Sequence, residues 1–264
     1  MQKHYGKLLA YTCTAAVAGG LLLPTTATAA PGADRRGELD GLSGREVAGR
    51  ALKELGDVDS LHMRLDASEV KADLALDGTG NCAGHVELAA QGAVDVVKRG
   101  GTVWLRPDAE FWKQQIGGEK GAEAAEAFKD RYIKGGASDA MLGGLSTACD
   151  LDALRATAGT NESGRDAAGW KRGRGADHDG KDTVTVARSQ GGAKVTMLVS
   201  AEGTPYPVRL LREAGGSAPD ASDQEDLRFD AFDRPVPKKT PGKRETVTVD
   251  EVRDQLNAPP ATEM

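Results

Sequence analysis

Cysteine and histidine are the side chains most able to do chemistry here, and the 264-residue chain holds three of the first and four of the second. Cys82 opens the stretch GNCAGHVELAAQG, in which Val86, Leu88 and Ala90 alternate with Glu87 and Ala89 at the period of a half-buried strand. Cys149 stands in LSTACDLDAL, at the junction of two short helical patterns, and Cys13 lies near the N-terminus, as does His4. His62 and His85 fall on strand positions and read as surface or packing residues. His178 belongs to ADHDGKD, which lacks the distal glutamate and the ligand spacing of a calcium loop and reads as a solvated hairpin turn. Ser60, Ser146 and Ser200 lie in no G-x-S-x-G elbow, and the chain contains no phosphate loop, C-x-x-C or dinucleotide fingerprint. Glu123 and Glu126 sit on the outer side of a helical pattern, where carboxylates serve solvation. No base stands beside a nucleophile, so the expectation is a non-enzymatic protein without metal or cofactor, a hydrolase with an unfamiliar site being the minor alternative.

The redox state of the cysteines depends on the compartment. The chain opens with Lys3 and Lys7, continues with an apolar run from Leu8 to Leu23 and closes with Ala27-Thr28-Ala29, the three parts of a secretory signal peptide over residues 1–29. An uncleaved anchor is the alternative; the run is shorter than the roughly 20 residues of a span and is followed by Pro24. Cys13 follows Tyr11 and Thr12, poor choices where a lipobox needs small residues. A secreted product is therefore expected ahead of a lipid-anchored one. Two thiols then remain in an oxidising compartment and allow a single pairing, Cys82 with Cys149; two separate buried thiols are the other arrangement. Closing a loop of 149 − 82 = 67 residues stabilises a fold by at most about 4 kcal/mol in the chain-entropy picture.

These residues need elements to hold them. Residues 30–42 are polar and Gly-rich and read as a flexible linker. SGREVAGRALKELG then places Val47, Ala48, Ala51, Leu52 and Leu55 on one helical face, with Ser43 and Glu46 as a capping box and Gly56 as a stop. Five alternating stretches follow (SLHMRLDAS, KADLALDG, GHVELAAQ, AVDVVKRG, GTVWLRP), joined by short Gly-containing turns, as in an antiparallel meander. From Phe111 to Thr157 the period becomes helical. EKGAEAAEAFKDRYI offers Ala124, Ala125, Phe128 and Tyr132 as a buried side, and Asp150 can cap a helix after Cys149. Strand patterns return in GWKRG, DTVTVARS, AKVTMLVS, YPVRLLREA and DLRFDAF, with a hairpin signal at Gly191-Gly192. Residues 237–264 read as a polar tail ending in a short helix from Asp250 to Leu256. The expected fold is α+β: an antiparallel sheet of about ten strands with helices over one face. Aromatics make up 4% of the chain, so its core must be built from Val, Leu and Ala. The net charge of −6, with no basic stripe, argues against a nucleic-acid partner.

The order of these pieces resembles the LppX/LprG type of actinobacterial cell-envelope lipoprotein and its secreted relatives, over residues 43–236. The resemblance rests on SLHMRLDAS, GNCAGHVEL, VVKRGGTVWLRPDAEFWKQ, RYIKG, LSTACDLDAL, EGTPYPVRLLRE and LRFDAFDRPV. It implies an antiparallel half-barrel akin to the LolA/LolB carriers, with helices on the concave face and a cavity for acyl chains. Val86, Leu88, Val94, Val96, Val103, Leu105, Val195 and Met197 would face that cavity or its adjoining core. The function it implies is an extracytoplasmic carrier or sensor for a lipid or other apolar ligand, monomeric and at most transiently associated with the envelope. The competing expectation, from the residues alone, is a secreted structural or protein-interaction module whose core is simply filled.

Overall fold

The computed structural model describes residues 37–159, 169–214 and 224–257. The expected signal peptide, residues 30–36 of the linker, residues 160–168 and 215–223, and residues 258–264 of the tail lie outside the described residues.

Helix α1 (Gly44–Asp57) starts where the capping box requires: the Ser43 hydroxyl accepts from the Glu46 amide, and the Glu46 carboxylate accepts from the Ser43 amide at 2.8 Å. It runs one residue past Gly56 and ends because Val58 turns extended. Its apolar stripe, Val47, Ala48, Ala51, Leu52 and Leu55, is buried as the spacing demands. Leu39, in the segment read as a linker, is buried in the same cluster, so this stretch is part of the packed fold.

The meander follows as β1 (Ser60–Ala67), β2 (Val70–Asp77), β3 (Cys82–Leu88), β4 (Gly92–Arg99) and β5 (Thr102–Pro107). β3 stops at Leu88, and Ala90 takes a positive φ in the turn instead of continuing the alternation. Next come α2 (Ala109–Ile116), α3 (Gly118–Ala127), β6 (Tyr132–Gly136), α4 (Ala140–Ser146), a 3₁₀ turn ending at Cys149, and α5 (Leu151–Ala158) capped by Asp150. The second set of strands is β7 (Lys171–His178), β8 (Lys181–Gln190), β9 (Ala193–Ser200), β10 (Pro207–Glu213) and β11 (Gln224–Asp230). A short β12 (Thr246–Thr248) and α6 (Val249–Asn257) complete the described chain.

All twelve strands form one open sheet, in the order β12-β6-β5-β4-β3-β2-β1-β11-β10-β9-β8-β7. Every pairing is antiparallel except β12 with β6. Two strands exceed the sequence expectation. β6 takes Tyr132 out of the helical face assigned to it, because the Lys129–Arg131 stretch, with Asp130 at positive φ, breaks the period. β12 and α6 come from the segment read as a tail, and Val249 and Val252 are buried in the main core. α6 extends the expected Asp250–Leu256 helix by one residue at each end, whereas β12 gives little signal because three strand residues flanked by charge carry almost no periodicity.

Helices pack closely on the two wings of the sheet: α1 on β7 to β10, α2 on β4, α4 on β5, and α6 on β6 and β12. Gly92 makes one of these approaches achievable, since it has a φ of 92° and a Cβ there would sit 2.2 Å from the Phe111 amide. Two apolar clusters result. One spans β1 to β6 and Phe229 of β11 with α2 to α6 and Leu55 of α1; the other joins the rest of the α1 stripe to β8 and β9, with Leu210 touching both.

Candidate functional site

Strand register turns the inner face of the half-barrel into lateral rows. One row runs Val186, Met197, Leu210, Leu227, Leu65, Ala72, Val86, Val94, each the cross-strand partner of the next. Its flanks, Val186, Met197, Val86 and Val94, are sealed under the wing helices. Its centre is half-buried: Leu210, Leu227, Leu65 and Ala72, on β10, β11, β1 and β2. Nearer the rim the next row reads Arg188, Val195, Arg212, Glu225, Ala67, and Val70 pairs with Leu88 beyond the β1–β2 turn. Phe111 and Ile116 of α2 are half-buried against the same core. Among the described residues no helix packs closely on β1, β2 or β11, and Leu65, Ala72 and Leu227 stay partly buried there. Leu65 and Ala72 also line a pocket of about 260 Å³ with Arg64, Asp73, His85 and Arg228 of the convex face.

A cleft of about 540 Å³ opens at this rim, lined among others by Glu69, Val70, Gly192, Arg212 and Glu225. The β8–β9 hairpin forms one lip. Gly191 and Gly192 take φ of 59° and 81°, the geometry of a two-residue turn that only glycine or asparagine adopts readily.

All eight residues assigned to the cavity or its adjoining core face inward, but with different exposure. Val86, Val94, Val96, Val103, Leu105 and Met197 are no more than 4% exposed and form the floor, whereas Leu88 and Val195 are half-buried and lie at the rim. None of the eight lines the rim cleft. Leu65, Ala72, Leu210 and Leu227 were not singled out from sequence; their alternation was visible, but which row the helices leave open depends on long-range packing.

The disulfide ties together two segments at the opposite end of the inner face. Cys82 and Cys149 are bonded with their α-carbons 5.4 Å apart, tying the first residue of β3 to the turn before α5. A larger cleft of about 920 Å³ lies at this end, lined by Asp59, Asp77, Arg99, Arg155, Asp233 and others. Its charged groups act as ties between chain segments. Arg99 donates to the carbonyls of Cys82 at 2.8 Å and of Pro237, Arg155 to those of Leu55 at 3.3 Å and Val58, and Asp233 accepts from the Asp59 amide at 2.8 Å.

The convex face carries a second lateral row of different character: Arg209, Arg228, Arg64, Asp73, His85, Asp95, Arg106. His62, beside this row, bonds Asp230 through Nδ1 at 2.9 Å and Asp73 through Nε2 at 2.7 Å. Burial works against its charged form, but these hydrogen bonds outweigh it and hold the imidazole above its ordinary pKa. Burial likewise opposes ionisation of Asp95, Asp226 and Asp230, and their His and Arg partners reverse this and lower each one. His62 is therefore an ion-pair member, more engaged than a plain surface residue. The ADHDGKD stretch completes β7 and turns into β8, where Asp177 accepts from the Gly180 amide at 3.1 Å. No helix among the described residues is long and apolar enough to cross a membrane.

No protein-family model matches the chain, and no curated protein matches it in sequence. Among solved structures the chain is similar to LprF from Mycobacterium bovis, with 14% identity over 75% of this chain and 97% of that one and a TM-score of 0.47. It is also similar to a DUF1329 family protein from Desulfovibrio piger, with 9% identity over 72% of this chain and 90% of that one and a TM-score of 0.25.

Proposed function

We propose that this protein is a non-enzymatic extracytoplasmic carrier or sensor that holds a lipid or other apolar ligand against the inner face of its half-barrel. The observation that carries the reading is that Leu65, Ala72, Leu210 and Leu227, in one inward row between two wings of helices, pack on the core and yet stay only partly buried. Burying a leucine fully is worth about 1.5–3 kcal/mol, so three half-covered leucines leave a driving force that an acyl chain satisfies. Leu88 and Val195 lie toward the rim, and the six sealed residues flank the patch on the same face of the sheet.

Native mass spectrometry of the secreted chain, with uptake of a fluorescent fatty acid, tests this. A bound apolar mass, or saturable uptake lost when Leu227 is replaced by Glu, supports it. Ligand-free protein that takes up no fatty acid overturns it.

A second reading, a structural or protein-interaction module, draws on the sealed floor: Val94 and Val103 are no more than 1% exposed, as in a filled core. It requires cross-linking to capture a protein partner on the outer face or around Lys238–Lys243 while the interior takes up no probe.

A further inference from the structure

Inward positions of a half-barrel are ordinarily apolar, and three of the five residues in the rim row depart from that rule. Arg188, Arg212 and Glu225 occupy inward positions on β8, β10 and β11, in one lateral row with Val195 and Ala67. Departures from the binary pattern mark sites retained for a purpose other than packing.

The Arg212–Glu225 pair is loosely made. Its nitrogen and oxygen stand 3.9 Å apart and the two side chains are 57% and 58% exposed. A charge-assisted hydrogen bond closes to about 2.7–2.9 Å. Arg209 reaches that range on the convex face of the same strand, at 2.8 Å from Asp226. The rim pair therefore keeps most of its hydrogen-bonding capacity. Glu69, on the β1–β2 turn, adds a second carboxylate to the lining of the same cleft. Arg188 sits two strands from Arg212, across Val195, with its guanidinium 4.6 Å above the Trp170 ring. The cleft thus offers both signs of charge, Arg212 with Glu225 and Glu69, while Arg188 stands outside its lining. The row of Leu210, Leu227 and Leu65 lies one inward position further along the same strands.

From this arrangement we infer that the rim cleft selects the head of a zwitterionic amphiphile carrying a phosphate and a primary ammonium, whose acyl chains lie on the patch. The inference rests on the carrier reading and names its ligand class. Arg212 takes the phosphate through the paired N–H donors of its guanidinium, and Glu225 with Glu69 accepts from the ammonium. A head with a phosphate alone satisfies the arginine and leaves two carboxylates facing an anion. A head with neither charge satisfies none of them.

The test is competitive loading of the full secreted chain with three lipids of identical oleoyl chains: phosphatidylethanolamine, phosphatidylglycerol and diacylglycerol, read by native mass spectrometry. Phosphatidylethanolamine is expected to win by about tenfold, the value of one charged hydrogen bond of ~1.4 kcal/mol. Arg212→Gln brings both phospholipids down to the level of diacylglycerol. Glu225→Gln removes the preference for phosphatidylethanolamine over phosphatidylglycerol and leaves diacylglycerol loading unchanged. Both side chains are largely in water, so the variants fold, which circular dichroism checks. Equal loading of the three lipids, or variants that load like the parent, overturns the head-group inference while leaving the carrier reading in place. Loading of none of the three, diacylglycerol included, removes both.

Discussion

The two ends of the inner face are built from the same strands and differ in what covers them. At the Cys82 end, Leu61, Leu76 and Val103 are no more than 2% exposed, a disulfide pins the layer above them, and Arg99 and Arg155 tie adjoining segments by their backbone carbonyls. At the rim, the corresponding inward positions are half-buried or charged. The first end is organised for stability. The second leaves aliphatic side chains only partly covered, and the proposed carrier role draws on that contrast.

Substitutions at the two ends separate these roles. Replacing Cys82 and Cys149 together by Ala removes the constraint on a 67-residue loop and is expected to cost up to about 4 kcal/mol, seen as a fall of as much as roughly 10 °C in melting temperature. Ligand uptake at temperatures where the variant remains folded stays the same; a selective loss of uptake would show that the sealed end takes part in binding.

Leu74→Ala, at a position with 0% exposure, is expected to cost about 3 kcal/mol, against about 1 kcal/mol for Leu227→Ala at the rim. The order reverses for uptake of a fluorescent fatty acid, which only the rim variant weakens. Chemical denaturation and uptake measured on the same two proteins decide it; a parallel loss in both assays would erase the distinction between the ends.

Val252→Asp probes the C-terminal segment. Val252 is 0% exposed, and a charge buried there is expected to destabilise the whole domain by about 3 kcal/mol. Unchanged unfolding would mean that α6 is dispensable.

The smallest effect belongs to pH. His62 is held above its ordinary value of about 6.5, so the stability it contributes is complete below that pH and is lost as pH rises through the raised folded value. Asp95, Asp226 and Asp230 are lowered, so their contribution is present above about pH 4 and is lost as pH falls through their folded values. Urea unfolding across pH is expected to peak between about pH 4 and 6.5. His62→Asn should flatten the alkaline limb by less than about 1 kcal/mol, since both partners are partly solvated. An alkaline limb that survives the substitution would assign it elsewhere.

Much of the fold is legible in the sequence because its signals are local. The two-residue period of LHMRLDA and KADLALD, the capping box at Ser43 and Glu46 and the Gly191-Gly192 turn each act over a few residues, and each forms as written. β6 and β12 escape because their five and three residues are too short for a period and their pairing joins segments more than a hundred residues apart. The candidate site is less legible for a related reason. Periodicity puts Val86, Val94 and Met197 on the apolar faces of their strands and the family resemblance turns those faces inward, but exposure depends on where helices distant in sequence come to rest. Leu65, Leu210 and Leu227 have the same local pattern as their sealed neighbours and differ only in that tertiary cover. Arg212 and Glu225 resemble ordinary solvated charges until register places them on the inner face.

The central claim is that an acyl chain lies along β1, β10 and β11 at the rim. Photo-cross-linking with a diazirine-bearing fatty acid, followed by peptide mapping, tests it most directly. The account predicts labelled peptides containing Leu65, Leu210 and Leu227, competed away by unlabelled oleate. Labelling confined to the convex face around His62 and Arg228, or no competed labelling at all, would contradict it.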